Sequence, residues 1–568
     1  MEIDRSILQG YEDTTLYEHG EISSRFETVP FDELKDRTVR GVLKANFHDE
    51  HGRLMQLYSR DENHVAVIAA TRLGKTTSYI IPTIVSYALQ KVKRSMIISD
   101  PKGEVYRKTA KTLRDQGYEV KLLNFRDSRH SEGWNPLTPI YRTYRRAQTL
   151  MDEVGVVMEE GEVVKHTFDG KTYDSPKKLA EAIARAKRMV LNDVGNEIDK
   201  LAQIVLVTPE KDNDPYWIDS ARELFKGFLW AMLEDSDKPE DENPITEATY
   251  SFKTMIGIID SFHDGDESTF NDEGYFSDRS EDSRGRSYAQ NTILSNGRPT
   301  RKCIMSMLVT NLACFSTTAM QLVTCCNTFE LDALVSGKPI AIYINYRDEL
   351  KVHYQAISMF IQSAYTFLID YANKQRDGKL PVPFVFLLDE FGNFPKITDM
   401  ETTISACAGR NIWFVLVLQS YAQLVSVYDK NIAEIIRDNL NVHVFFGSNN
   451  PETLKAFSCE CGEYTRLSPL SALNGNTPHM DSRFSIETIR RMPISRLSKL
   501  EPGECVVTEA CSGYILLSKM ERYFTCPEFD GLEESYESDY VCPVDTSDSR
   551  FDYKYKRKKR KSPNPFDF

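Results

Sequence analysis

The chain has 568 residues, of which 41% are hydrophobic and 27% charged, and its formal net charge is −14. That length exceeds one ordinary domain, and the composition is that of a globular protein with material for a large core. It excludes a protein coated in basic surface, so nucleic-acid contact has to come from a local lining or the tail. The charge is uneven: Asp264 to Asp282 holds eight acids and one arginine, while seven of the eight residues from Lys554 to Lys561 are basic. No apolar stretch approaches the ~18 residues of a membrane span, and Met1–Gly20 is too polar for a signal peptide. Eleven cysteines lie scattered without C-x-x-C pairs, which reads as reduced thiols and not as a metal site.

Residues 1–60 are polar and weakly patterned and read as an N-terminal appendage. A strand is expected at 64–70, running into Ala69-Ala70-Thr71-Arg72-Leu73-Gly74-Lys75-Thr76 and then into a segment that can be helical until Pro82. Strand, loop and helix in this order give a phosphate-binding loop its mechanical sense. Gly74 lets the backbone approach the phosphates, and loop N–H groups with the helix N-terminus supply donors. Lys75 would reach the β- and γ-phosphates, and the Thr76 hydroxyl would ligate Mg²⁺. The nucleotide-binding set is therefore Ala69 through Thr77, with Ala69 standing where the usual pattern has its first glycine.

Further strands are expected at 94–99, 118–125 and 339–345, with a helix over Lys351–Asn373. Between them, 141–325 reads as a mainly helical insertion. It contains a hairpin over Gly155–Tyr173 turning near Glu160-Gly161, and helices at 176–206, 217–234, 245–262 and 300–325. At the mouth of the 94–99 strand, Asp100, Lys102 and Glu104 admit two readings, a turn closed by a salt bridge and Gly103 or a direct part in nucleotide sensing.

The strand expected at 383–389 is a continuous apolar run ending in Asp389-Glu390. Such a run fits a strand buried on both faces of a parallel sheet, with its acids at the carboxyl edge where ligands bind. Asp389 would hold Mg²⁺ through water, and Glu390 would act as general base on the attacking water. The next strand, 411–418, ends in Gln419, which could sense the γ-phosphate; Arg410 before it could be a charge-stabilising finger. A strand at 441–447 and a two-strand pattern over Cys505–Met520 follow. Strands alternating with helices predict an α/β fold with a mostly parallel sheet. Residues 526–568, acidic and then basic, have the composition of a disordered tail. The basic stretch Lys554–Lys561 reads as a nucleic-acid clamp, a contact to anionic membrane, or a solvated end.

Several segments, in order, resemble the type IV coupling proteins of conjugation and type IV secretion (the VirD4/TraG group). They are the loop at 69–76, Ile81-Pro82-Thr83, Ser99-Asp100-Pro101-Lys102-Gly103-Glu104, Trp134-Asn135-Pro136-Leu137 and Asp214-Pro215-Tyr216-Trp217 with Ala221. Leu388-Asp389-Glu390-Phe391-Gly392-Asn393, Gly409-Arg410, Gln419-Ser420 with Gln423, and Ile489-Arg490-Arg491-Met492-Pro493 before Gly503-Glu504 continue the series. The resemblance covers about 60 to 525. It implies a RecA-like P-loop ATPase core at 61–140 and 326–525, using ATP and Mg²⁺ and active as a homohexamer. Residues 141–325 would be the all-α substrate-recognition domain. The implied partners are single- or double-stranded DNA, a relaxase and the ATPases of the secretion channel.

Carried over residue by residue, Lys75 and Thr76 bind phosphate and Mg²⁺, Asp389 and Glu390 are the metal-side and catalytic acids, Gln419 is the sensor, and Arg410 matches the inter-subunit finger. Members of the group carry N-terminal transmembrane helices. Their absence from this sequence implies a cytoplasmic protein brought to the inner face of the membrane by a partner. The alternatives are a receptor for secreted protein effectors with ATP as a switch, and a DNA pump of the FtsK/HerA type.

Overall fold

The structure, a computed structural model, describes residues 15–17, 26–159, 162–207, 215–238, 245–262, 273–347, 349–394, 396–469 and 484–541. The chain divides into two compact units: one of residues up to Arg126 with 331–351 and 364–540, the other of 127–330 with 352–363.

The first unit is built on a ten-stranded sheet. Its spatial order is Thr15–Tyr17, Tyr514–Lys519, Glu504–Glu509, Val442–Gly447, Val65–Ala69, Ile412–Leu418, Phe384–Leu388, Ser95–Asp100, Ile340–Asn345 and Glu119–Asn124. The seven strands from Val442–Gly447 to Glu119–Asn124 are parallel. The antiparallel pair Glu504–Glu509 and Tyr514–Lys519 extends that edge. Val65–Ala69 and Phe384–Leu388 are buried at every residue, which is why they read as unbroken apolar runs and not as alternating ones. The phosphate-loop strand and the acid-bearing strand flank Ile412–Leu418. Three neighbouring carboxyl ends therefore open on one spot, the usual ligand position of such sheets.

Three sequence expectations need correction in this unit. The helix after the loop does not stop at Pro82. A π-helical turn over Lys75–Ile80 feeds an α-helix over Ile81–Leu89 that contains Pro82 in its first turn, where a missing N–H costs little. Residues 26–58 are not a loose appendage. Glu27–Pro30, Leu43–His48 and Leu54–Tyr58 form a three-stranded sheet, and Phe26, Val42, Ala45 and Leu57 join the core of the large one. The weak apolar pattern there has a physical cause, since Lys44, Asn46 and Gln56 are polar yet fully buried. Lys44 ion-pairs with Glu509 at 2.5 Å and bonds the Tyr514 hydroxyl. Finally, the segment after 526 is described as far as Val541, with Cys526 and Phe529 buried against Val29, Phe31, Leu34 and Ile81.

The second unit is mainly helical. Its central helix, Tyr216–Ser236, is buried along most of its length and packs against Arg284–Ala289. The two backbones approach so closely that a side chain on Gly285 would stand 2.9 Å from Ala231. Gly155–Glu159, Glu162–Phe168 and Lys171–Tyr173 form a small antiparallel sheet; the expected turn at Glu160-Gly161 lies outside the described residues. The unit begins earlier than 141 because Trp134 stacks edge-on against Phe360 at 5.1 Å and Asn135 caps Leu137 while donating to the Tyr250 carbonyl. The Trp-Asn-Pro-Leu motif is thus a buried corner. Of the acidic stretch 264–282, the described part carries Arg279, whose guanidinium grips Asp235 at 2.6 and 3.0 Å. Among the described residues no single helix is long and apolar enough to cross a bilayer.

Candidate nucleotide site

The loop leaves the sheet at Ala69, which is the last strand residue, fully buried and paired with Gly447. It is not among the residues with positive φ. A methyl group is tolerated there because the position is strand and not turn, so the missing first glycine does not prevent the loop from forming. The turn itself is made by Ala70–Gly74. Ala70 N–H donates to the Gly447 carbonyl at 2.9 Å and Leu73 N–H to the Ala70 carbonyl at 3.2 Å. Arg72 (φ 70°) and Gly74 (φ 93°) adopt left-handed backbone, the alternation that forms a concave nest of N–H groups fit for an anion. Such a conformation is disfavoured for arginine and costs little for glycine.

Lys75 is buried at the start of the helix, with its ammonium on Glu390 and 3.5 Å from Asp389 Oδ1. The other Glu390 oxygen accepts from Gln419 Nε2 at 2.9 Å, and Gln419 Oε1 faces the Thr71 hydroxyl at 3.4 Å. Gln419 is in turn fixed by its own N–H, which donates to Gln423 Oε1 at 3.0 Å. The Asp389 carbonyl accepts from the Ser99 hydroxyl, and its side chain accepts from Glu390 N–H at 2.8 Å. Glu390 sits at φ 53°, a left-handed conformation uncommon for glutamate and of the kind held at functional sites. Burial raises the Asp389 carboxyl above its ordinary range, and the Lys75 ammonium opposes that rise.

Of the residues expected to act together, Thr71, Lys75, Asp389, Glu390 and Gln419 therefore meet. Thr76 and Thr77 occupy the half-buried first turn after Lys75, and Thr77 Oγ1 bonds the Gly74 carbonyl at 3.3 Å. Arg410 does not join them. It precedes Ile412–Leu418 and so lies at the opposite end of that strand from Gln419, held by Asn373 Oδ1 at 2.9 Å and the Ala406 carbonyl at 2.6 Å. The donor set fits a magnesium nucleotide. A nest and a lysine suit phosphate oxygens, while the Asp389 and Glu390 carboxylates and the hydroxyl of Thr76, in the turn after Lys75, are hard oxygen ligands of the kind magnesium takes. In the chain as it stands, Glu390 gives Lys75 the negative partner that a phosphate oxygen would supply.

A neighbouring group joins Asp100, which the sequence reading named, to Asn124, Asn345 and Glu537, which it did not. Asp100 is buried behind Asp389, with Oδ2 accepting from Tyr106 N–H at 2.7 Å. Burial, together with the charges of Asp389 and Glu537, pushes its carboxyl up to about 7. No ion pair to Lys102 closes this turn among the described residues; Lys102 is exposed, and the backbone bond from Gly103 N–H to the Asp100 carbonyl does the work. Beside it, Asn124 and Asn345 donate to the two oxygens of Glu537 at 3.2 and 2.8 Å. Both asparagines end apolar strands, and that polar residue at a carboxyl edge was the available signal.

A profile of the family described as "Type IV secretory system Conjugative DNA transfer" matches residues 32–485. The chain is 28% identical over 219 residues to "Conjugal transfer protein TraG" of Escherichia coli, covering 36% of this chain and 32% of that protein. It is 22% identical over 414 residues to "Protein VirD4" of Rhizobium rhizogenes, covering 72% of this chain and 50% of that one. The chain thus spans between a third and a half of these relatives. Among solved structures it resembles the bacterial conjugative coupling protein TrwBdeltaN70 in its unbound form, with a TM-score of 0.55 and 15% identity over 89% of this chain and 95% of that one. The structure of TrwB in complex with ADP and Mg²⁺ gives 0.54 and 15%, over 89% and 96%. At that identity the likeness is one of fold, a RecA-like P-loop architecture. With the profile matching most of its length, the chain belongs to the family of type IV secretory system conjugative DNA transfer proteins.

Proposed function

We propose that the protein is an ATP-hydrolysing coupling protein that recruits a relaxase–DNA nucleoprotein and drives DNA to a type IV secretion channel. The observation that carries this reading is the convergence of Lys75, Glu390 and Gln419 at the ends of three adjacent parallel strands. In it, the nest at 70–74 and Lys75 bind the triphosphate and orient it, with Thr76 and Asp389 holding Mg²⁺. When bound, that ion neutralises charge on the phosphates. As the nucleotide enters, Lys75 exchanges Glu390 for phosphate oxygen. The freed carboxylate, still held by Gln419, then takes a proton from the attacking water. Arg410, held at the opposite end of its strand from Gln419, suits delivery to the site of a neighbour in a ring, where it would neutralise charge developing in the transition state. DNA, relaxase and channel ATPases are the partners, with the membrane reached through another protein. Support for the nucleotide comes from TrwB, solved with ADP and Mg²⁺.

The test is ATP turnover of the full chain with and without DNA. The reading expects turnover that rises with DNA and vanishes in Lys75→Ala. A rate indifferent to DNA removes the transport half of the proposal, and one indifferent to Lys75 removes all of it.

A further inference from the structure

The turn Arg522–Thr525 lies against the phosphate-binding loop. Its short helix, Tyr523–Thr525, packs on the Lys75–Ile80 turn. Arg522 Nε would stand 3.8 Å from a side chain on Gly74, in the same space as the Thr77 and Ser78 hydroxyls. Arg522 is half-buried and, among the described residues, makes no ion pair. Its guanidinium lies over the ring of Phe524 at 5.8 Å, and Phe524 is 54% exposed, a large apolar ring left open beside a polar loop. Tyr523 holds that ring edge-on at 5.4 Å.

The turn is rigidly founded. Glu521 N–H donates to the Asn46 carbonyl, and the Thr525 N–H and hydroxyl both close on the Arg522 carbonyl. Cys526 and Phe529 are buried in the cluster containing Ile81 and Val85, of the very helix that follows the loop. A platform and a phosphate loop that share one hydrophobic foundation hold a fixed spacing.

A nucleotide gripped at its terminal phosphates between Lys75 and the acid pair must send its nucleoside out along the rest of the loop. Loop N–H groups hold the inner phosphates there. Resting on the nucleotide reading above, we propose that Arg522 and Phe524 form the nucleoside subsite of the same protomer. Phe524 stacks on the purine ring, and Arg522 closes the side facing Gly74, where the ribose leaves the loop. An aromatic face and a guanidinium recognise a flat ring without reading its edge.

The experiment measures binding of Mg·ADP and of inorganic tripolyphosphate to the full chain by calorimetry. Phe524→Ala and Arg522→Gln should each weaken ADP about 5- to 30-fold, the worth of one stacked base. Tripolyphosphate affinity should stay as in the parent, and Phe524→Tyr should restore ADP. Unchanged ADP affinity in both variants overturns the subsite. So does equal loss of both ligands, which means a damaged loop; the thermal midpoint of each variant identifies a damaged fold. If the parent binds neither ligand, or Lys75→Ala alters neither, the phosphate site itself is wrong and the subsite falls with it.

Discussion

Glu390 grips the ammonium of Lys75 with one carboxylate oxygen and the side-chain amide of Gln419 with the other. The three residues follow three adjacent strands of the sheet, Lys75 by way of the loop, so their contacts report how those three strands are aligned. Lys75, Asp389 and Glu390 are each at least 94% buried, and removing the lysine leaves two acids without their cation. Lys75→Ala should therefore abolish nucleotide binding and also cost roughly 3–5 kcal/mol of stability without nucleotide, the penalty for breaking a buried pair. Glu390→Gln keeps a partner for Gln419 and should bind Mg·ATP while turnover falls about 10²- to 10⁴-fold. Denaturant unfolding and single-turnover hydrolysis measure the two effects.

This site was legible because its chemistry sits where apolar runs stop. Val65–Ala69, Phe384–Leu388 and Ile412–Leu418 announce themselves by composition, and each hands over directly to the loop, the acid pair or the glutamine. What the sequence hid obeys the same physics in reverse. The sheet at 27–58 buries Lys44 and Asn46 by pairing them with partners hundreds of residues away, Glu509, Tyr514 and the Glu521 carbonyl, and Gln56 by bonds to Ser86 and Tyr58. No local pattern encodes that. Likewise the segment after 526 looks solvated by composition, yet two well-placed apolar residues, Cys526 and Phe529, fasten it down.

Arg410 offers a test of assembly. Its side chain is tied to Asn373 and Ala406 at the far end of its strand from Gln419, so Arg410→Ala should bind ATP normally and lose turnover about 10³-fold if a neighbour depends on it. Mixing Arg410→Ala with Glu390→Gln chains should return activity, because some interfaces regain an intact acid on one side and an intact arginine on the other. For a random equal mixture about a quarter of interfaces qualify. No recovery on mixing would place any finger elsewhere.

Asp100 gives the fold a pH dependence with a definite sign. Its folded carboxyl titrates at about 7 against an ordinary 3.8, because burial and the nearby Asp389 and Glu537 charges disfavour ionisation. The native state thus holds a proton that the unfolded chain has released. Stability from this group is fully present below about pH 4 and is lost as pH rises to about 7, with an upper limit near 4 kcal/mol. Asp100→Asn keeps an acceptor for Tyr106 N–H and removes the titration. Unfolding free energies of parent and variant should diverge between pH 5 and 7, the variant losing less; parallel profiles would refute the shift.

Gly103 and Glu537 are coupled through space. Gly103 holds φ at 71°, and a side chain there would stand 2.0 Å from Glu537 Oε1, the oxygen that accepts from Asn345 Nδ2. Gly103→Ala must then both adopt a left-handed backbone, costing about 1–2 kcal/mol, and push the carboxylate off its asparagines, which forfeits about 1 kcal/mol more for each lost bond. Glu537→Ala removes the clash in advance, so the same glycine substitution should cost only the backbone share in that background. A double-mutant cycle by denaturant unfolding should read a coupling of at least about 1 kcal/mol. Strict additivity would mean that Glu537 does not dock on the strand ends in solution, and that the 521–540 segment is held by its other contacts, among them the buried Cys526 and Phe529 and the Ser535 N–H bond to the Arg107 carbonyl.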